Sequence, residues 1–541
     1  MYEKIKNEMK VWLKDYEGNL FSVQERFLLS LLHKLKDTAI GKERGYTYIK
    51  SIEDFQSQTY IQHYSDLKPY IDRIIDGEIN VLHPEPPTDW IRTSGSTGLP
   101  KVYPYNKDYM RCFSIAKTTI LNYFIYRVGS KALKLLEGEF LSIHASTDCG
   151  TLGTGLTRKT VAMLSGWAAK QRYANDRSSS RLSIHLIPDW QERIFQTAVY
   201  YVQKNVTHLT SNTSVLFSFI DEMANAFDGK LFSVLAEYNP ELTAELQHFY
   251  QEDGKIKVSR VWPNLLGLFL MGVEPYKYKK LIDLNFPKSI IFQTYGGTEN
   301  ASGFQYDVTD PAMVLQMKSA FYEFLDVEEY INWQFHNKSI PTRHTVADVK
   351  ASKEYVLCVS NYLGLTTYIP GDIIKIVSTT PLLFLYSRRV GGEVNIAGEK
   401  MNANHIAEAI RKASAENQCV YREYLCTGLT EPRPHYVVAV EFSTPPENLA
   451  RFVIDLEKSL YQLNMIYAAA RIDNALKPLR VINLPVGEFD RYIATQTKAG
   501  QWNAGQSKLP YLTDRQDFLD FFKANKPLAS YLSTADPRDV Q

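Results

Sequence analysis

Apolar positions recur at helical spacing through the first forty residues: Ile5, Met9, Trp12 and Leu13, then Phe27, Leu28, Leu31, Leu32 and Leu35. This interval predicts two amphipathic helices. Ser51 to Phe55 offers a helix start, and Tyr64 to Asp76 reads as a helix closed by Gly77. Asn80 to Pro87 reads as extended and Asn106 to Val128 as helical again. Glu139 to His144 is a predicted strand, while Ile194 to Asn205 and Thr213 to Phe227 carry helical periodicity. Leu265 to Gly272 and Ser289 to Tyr295 are short continuous apolar runs, the pattern of parallel strands covered on both faces. Helices alternating with such strands predict an α/β architecture. Beyond Tyr386 the texture changes, and Ser387 to Lys400, rich in charge and glycine, suits a hinge. A helix at Asn402 to Lys412, a strand at Tyr436 to Phe442, a helix at Glu447 to Leu463 and a strand at Leu479 to Leu484 predict a small α+β domain of about 150 residues. The expected organisation is a large domain over 1–387, a hinge over 388–400 and a small domain over 401–541.

Composition narrows the class without naming an activity. A chain of 541 residues exceeds the usual limit for one core. At 45% hydrophobic, 22% charged and a formal net charge of +1, it offers no general electrostatic case for nucleic acid or an anionic membrane as partner. The longest apolar run, Leu265 to Val273, has nine residues and is too short to span a bilayer. The first residues lack the apolar core of a signal peptide. Cys112, Cys149, Cys358, Cys419 and Cys426 show neither metal-ligand nor redox-motif spacing. A cytoplasmic, reducing location is expected.

Four loops carry candidate chemistry. Arg92 to Lys101, RTSGSTGLPK, concentrates Ser94, Gly95, Ser96, Thr97 and Gly98 before Lys101. Such a loop can aim backbone N–H groups and hydroxyls at one phosphate, with the lysine adding charge. Its residue types equally make surface turns, and its spacing is not that of a P-loop. Gln293 to Asn300, QTYGGTEN, leaves the carboxyl end of an apolar run, where α/β folds bind ligands. There Thr298 could contact phosphate and Glu299 could ligate Mg²⁺; a plain Gly-Gly turn before a helix is the other reading. Tyr368 to Asp372, YIPGD, places Asp372 after a Pro-Gly turn, either to accept ribose hydroxyls or to cap its own backbone. Gly500 to Pro510 holds Lys508, a solvated lysine or a cation delivered to a distant site. A second glycine-rich loop runs from Thr151 to Gly155. Histidines do not cluster at zinc spacing, and no nucleophile elbow or dinucleotide fingerprint is present.

In order, these loops resemble those of the adenylate-forming ligases. A nearer resemblance is to the Gretchen Hagen (GH3) family of acyl acid amido synthetases. It rests on residues 49–82, on WPNLLGLFLMG (262–272), on FYEFLDVEEY (321–330), on PGDIIKIVSTTPLLFLYSRRVGGEVNIAGEKMN (370–402), on Asn464, Tyr467 and Arg471, and on GEFDRYIATQTKAGQWNAGQSKLP (487–510). The similarity runs from about residue 25 to about 515. Three departures stand out: a phosphate loop one residue short, Ile369-Pro370 where the family has an arginine before Gly-Asp, and Gly297 for a common serine.

The resemblance implies a large adenylate-forming domain with parallel-sheet and barrel elements and a small mobile C-terminal domain. It implies a two-step ligase using ATP and Mg²⁺, with a small carboxylic acid and an amine, usually an amino acid, as substrates. Ser94, Gly95, Ser96, Thr97, Gly98 and Lys101 would hold the β,γ-phosphates, Thr298 the α-phosphate, and Asp372 the ribose. Tyr295 and Gly296 would flank the adenine or the acyl group, with Arg389 completing the nucleotide set. Glu299 would ligate the metal, and Lys508 would bridge carboxylate and α-phosphate. Thr213, Ser214, Leu216, Thr151 and Gly153 are the acyl-pocket candidates. A thioester-forming synthetase and a non-catalytic binding protein of the same fold are the alternatives.

Overall fold

The computed structural model describes the chain except for residues 94–100, 144–150, 153–158, 164–182, 185, 188, 272–274, 301–302, 337, 391–393, 490, 493–494, 496–511, 514–515, 524–529 and 537–541. The chain divides into two compact units, the larger within residues 1–387 and the smaller carried by Arg388–Gln541.

The predicted N-terminal helices are Tyr2–Glu17 and Leu20–Leu35. Ser51 caps the helix Ile52–Gln58 by accepting from the Asp54 N–H, and Asn106 caps the long helix Lys107–Val128 by accepting from the Tyr109 N–H. The extended stretch expected over 80–87 forms no strand. Its three prolines, at 84, 86 and 87, lack ladder N–H groups.

The larger unit contains a sheet of twelve strands among the described residues. Glu139–Ser142, Val206–Asn212, Gly267–Met271 and Ile290–Tyr295 run parallel, each bonded to the next. The last of these then pairs antiparallel with Gly303–Asp307, and antiparallel strands continue the sheet through Asp310–Leu315, Leu382–Arg389, Asp372–Thr379, Glu354–Asn361 and Phe321–Asp326. The apolar runs are continuous because both sheet faces are covered. Phe124 of the long helix, for example, sits with its ring 5.1 Å from Phe269 and 5.3 Å from Phe292. A smaller four-stranded sheet contains Asp89–Arg92 and Val102–Tyr105, the two strands that flank the glycine-rich loop. No described helix is long and apolar enough to cross a membrane.

The smaller unit has a five-stranded sheet with His435–Thr444 between Val420–Leu429 and Arg480–Leu484. The helices Ala403–Glu416 and Leu449–Leu463 contribute to its core. The trio Asn464, Tyr467 and Arg471 is explained by packing. Asn464 caps the helix Met465–Ile472 and donates to the Glu399 carbonyl at 2.9 Å. Tyr467 and Arg471 both donate to the fully buried Glu457 carboxylate, at 2.8 and 2.7 Å. Beside them, His405 accepts at Nδ1 from the Asn464 side chain at 3.3 Å and from the Asn402 N–H at 3.4 Å.

That arrangement needs a neutral imidazole, and burial lowers the pKa of His405 below its ordinary 6.5. A depressed histidine stabilises the fold above 6.5, and the contribution is lost as pH falls through the folded-state value. Thermal unfolding should therefore show the smaller unit losing stability below about pH 6.5, with a weaker pH dependence in His405→Gln; an unchanged pH profile in the variant would refute the assignment.

Candidate active site

Several of the candidate residues gather where the parallel half of the large sheet ends. Ile290–Tyr295 is the last parallel strand, and the chain reverses in a tight turn in which the Gly297 N–H donates to the Asn300 carbonyl at 3.0 Å. Gly296 is exposed, but Thr298, Glu299 and Asn300 are buried, so their backbone oxygens require donors. The Thr298 carbonyl accepts from the Tyr105 hydroxyl at 2.6 Å and from the Tyr109 hydroxyl at 3.3 Å. The Glu299 carbonyl accepts from the Asn361 side chain at 2.8 Å. Three elements thus hold the backbone of Thr298 and Glu299: the strand Val102–Tyr105, the long helix and the strand Glu354–Asn361. A Cβ at Gly297 would stand 3.4 Å from Glu299 Oε2, an ordinary contact. The substitution of glycine for serine there is therefore sterically neutral.

Buried hydroxyls surround this turn. Tyr103, Tyr105 and Tyr109 are fully enclosed. Burial holds their pKa values well above the ordinary tyrosine range, and the nearby Glu299 charge raises them further. They remain protonated donors across the neutral range. The Tyr103 hydroxyl meets that of Tyr368 at 2.7 Å, and Lys101 Nζ donates to the same Tyr368 oxygen at 3.3 Å. Lys101 Nζ also lies 5.8 Å from the ring centres of Tyr64 and Tyr368. The glycine-rich loop is closed at its base, where the Thr93 N–H donates to the Lys101 carbonyl at 2.8 Å and the Lys101 N–H donates to Thr93 Oγ1 at 3.1 Å.

At the end of the strand that enters the turn, the Tyr295 hydroxyl donates to Asp372 Oδ2 at 2.6 Å, and the Tyr295 ring stands edge-on to Phe384 at 5.4 Å. Two residues back on the same strand, and therefore on the same face, Gln293 buries its Oε1 without a hydrogen-bond partner. A buried acceptor beside an aromatic ring and a carboxylate suits a nucleoside, whose amino group can donate to Gln293 and whose hydroxyls can donate to Asp372. Glu299 supplies a hard oxygen of the kind magnesium takes. No group of three or more metal-type side chains occurs among the described residues.

The structure thus brings Lys101, Tyr295, Gly296, Thr298, Glu299 and Asp372 into one region of the larger unit. Ser94, Gly95, Ser96, Thr97, Gly98, Gly153 and Lys508 lie outside the described residues, as do the side chains of Ser214 and Arg389. Thr151 is exposed on the two-residue strand Thr151–Leu152. Thr213 and Leu216 are buried at the start of the helix Thr213–Ala224. The sequence pattern did not mark Tyr103, Tyr105, Tyr109 or Asn361, and it included Gln293 and Tyr368 only as the first residues of candidate loops, with no role of their own. The alternation of Tyr103 and Tyr105 along KVYPYNKDY, with Tyr109 one helical turn into the long helix, was the available signal.

Three family models match the chain in order: the GH3 family N-terminal domain over residues 10–290, the central domain over 313–389 and the C-terminal domain over 404–517. The chain belongs to the GH3 family. It is 23% identical over 559 aligned positions to an indole-3-acetic acid-amido synthetase (GH3.3) of Arabidopsis thaliana, covering 92% of this chain and 90% of that protein. It is 25% identical to a jasmonoyl–L-amino acid synthetase (JAR4) of Nicotiana attenuata, with 73% of each covered. Its fold is that of the GH3.15 acyl acid amido synthetase in complex with 2,4-DB, at a TM-score of 0.62, 18% identity and 98% coverage of both chains. The mixed α/β fold with a separate C-terminal domain is common to both.

Replacing Tyr105 by Phe leaves the Thr298 carbonyl with the longer Tyr109 bond alone. Urea unfolding should show a loss of about 1 kcal/mol for Tyr105→Phe and about 2–3 kcal/mol when Tyr109→Phe is added; an additive, near-zero pair would mean that the turn does not depend on these hydroxyls.

Proposed function

We propose that this chain is an ATP-dependent ligase that activates a carboxylic acid as an acyl-adenylate and transfers the acyl group to an amine, most readily an amino acid. Family membership and relatives named as amido synthetases for indole-3-acetic and jasmonic acids support the reading. The observation that carries it is the fixed Thr298–Glu299 turn, with the Lys101–Tyr368 and Tyr295–Asp372 hydrogen bonds in the same region. Candidate phosphate, metal and ribose groups are thereby tied to one framework of hydrogen bonds.

In the first step a carboxylate oxygen attacks the α-phosphorus, and pyrophosphate leaves with the bonding pair. Two anions must meet, a repulsion of about 4 kcal/mol for unit charges 4 Å apart at an effective dielectric near 20. Lys101 and the hydroxyl-bearing loop Ser94–Thr97 hold the departing β,γ-phosphates, Thr298 contacts the α-phosphate, and Asp372 accepts from the ribose. A magnesium ion bound at Glu299 would supply charge neutralisation at the phosphates. Lys508 is assigned the bridge between carboxylate and α-phosphate, and residues 388–400 the hinge of the small domain that carries it. In the second step the amine nitrogen attacks the acyl carbon, the C–O bond to AMP breaks, and the amine proton passes to solvent.

A mass-spectrometric product screen over carboxylic acids and amino acids with ATP and Mg²⁺ should yield an amide and AMP. Pyrophosphate release should vanish in Lys508→Ala and fall at least about a hundredfold in Glu299→Ala. A coenzyme A thioester in place of any amide would replace this reading, and no pyrophosphate release with any acid would leave a binding protein.

A further inference from the structure

The strand Leu365–Tyr368 pairs irregularly with Glu354–Asn361. Val359 faces Tyr368 and Asn361 faces Leu365, so Thr366 and Thr367 together oppose Ser360. This is a β-bulge, a device that re-aims the side chain after it. Without the extra residue Tyr368 would point to the opposite face of the sheet, since a slip of one residue exchanges the faces. Thr367 has φ of 45°. A β-branched residue holds that left-handed backbone only where its surroundings over-determine it.

They do so here. The Thr367 N–H donates to Ser360 Oγ at 2.8 Å, in place of a ladder carbonyl, and its carbonyl accepts from the Gln62 N–H at 3.0 Å. Its hydroxyl donates to Glu323 Oε2 at 2.7 Å and accepts from Arg343 Nη2 at 2.5 Å. Arg343 Nε also donates to Glu323 Oε1 at 2.9 Å, and the two side chains are 7% and 1% exposed. The Thr366 hydroxyl donates to Gln62 Oε1 at 3.0 Å and accepts from Arg44 Nη1 at 2.9 Å. Both threonine hydroxyls and the Thr367 N–H and carbonyl are thus committed, and the next residue is Tyr368, whose hydroxyl receives Lys101.

We propose that the Thr366–Thr367 bulge, clamped by the buried Glu323–Arg343 pair, sets the position of Lys101 through Tyr368, and that Thr367 is a positioning residue for the phosphate end of ATP. The inference rests on the reading that Lys101 holds the β,γ-phosphates. AMP, which lacks those phosphates, separates positioning from general damage.

Calorimetric titration of the full chain with ATP–Mg²⁺ and, separately, with AMP tests the assignment. Thr367→Val keeps the branch and loses the hydroxyl; it should weaken ATP–Mg²⁺ about tenfold or more while AMP binds within about twofold of wild type. Thr367→Ser, which restores the hydroxyl, should recover ATP affinity. Tyr368→Phe leaves the clamp intact and should reproduce the ATP-selective loss even if Thr367→Val fails to fold. Equal losses for ATP and AMP, or no loss in either variant, would overturn the proposal. Lys101→Ala is the control: if it binds ATP like wild type, the phosphate reading of the site fails, whereas an ATP-selective loss there with Thr367→Val and Tyr368→Phe unaffected sinks the positioning role alone.

Discussion

A polar turn closes the last parallel strand of the larger unit, Ile290–Tyr295, and its buried carbonyl oxygens have to be satisfied away from bulk water. The Thr298 oxygen, approached by Tyr105 and Tyr109, is where that constraint is met. Water cannot satisfy a group enclosed in this way, so donors must come from the protein, and their supply fixes where neighbouring elements lie. The strand Val102–Tyr105 and the first turn of the long helix are both committed to one oxygen atom. The glycine-rich loop begins at the other end of that same strand. The position of the strand that follows the glycine-rich loop is therefore tied to how the Thr298–Glu299 turn is buried.

The same logic governs the buried charges. Glu323 with Arg343 and Glu457 with Arg471 are enclosed ion pairs, each carboxylate also accepting from a hydroxyl. Removing one partner of such a pair typically costs about 3–5 kcal/mol, because the other is left charged and desolvated. Both pairs join segments far apart in the chain or in different elements, which suits a role in specifying a single arrangement. Glu457 retains one buried oxygen without a partner. Its pair is therefore compensated less completely than that of Glu323, which also accepts from Gln56 and Thr367.

Much of the helical framework was legible in the sequence, because apolar periodicity and capping residues are local. Asn106, Ser51 and Asn402 mark helix starts within a residue of where the helices begin. The strands that complete the large sheet between Gly303 and Arg389 were mostly illegible. Their apolar runs are interrupted by Gln305, Glu323 and Asn361, residues whose partners lie across the sheet or on other elements. In the site, Thr298, Glu299 and Asp372 were visible as loop chemistry beside strand ends. The tyrosines were not, since an aromatic residue in an apolar strand reads as core until the atom facing its hydroxyl is known. The trio Asn464, Tyr467 and Arg471 shows the reverse: a distinctive spacing that capping and ion pairing explain without a ligand.

The family-model boundaries cut across this site. Residues 293–300 fall between the N-terminal match, which ends at 290, and the central match, which begins at 313. Tyr105 and its acceptor are 193 residues apart, and Lys101 and Tyr368 are 267 apart. During synthesis at roughly 5–20 residues per second, the N-terminal segment waits tens of seconds before the last of these partners emerges. Through that interval the tyrosine hydroxyls must stay hydrated, so Val102–Tyr105 cannot reach its final packing. On the ribosome, this hydrogen-bonded region is thus among the last parts of the large unit to form, although the strand Val102–Tyr105 is among the first to be made.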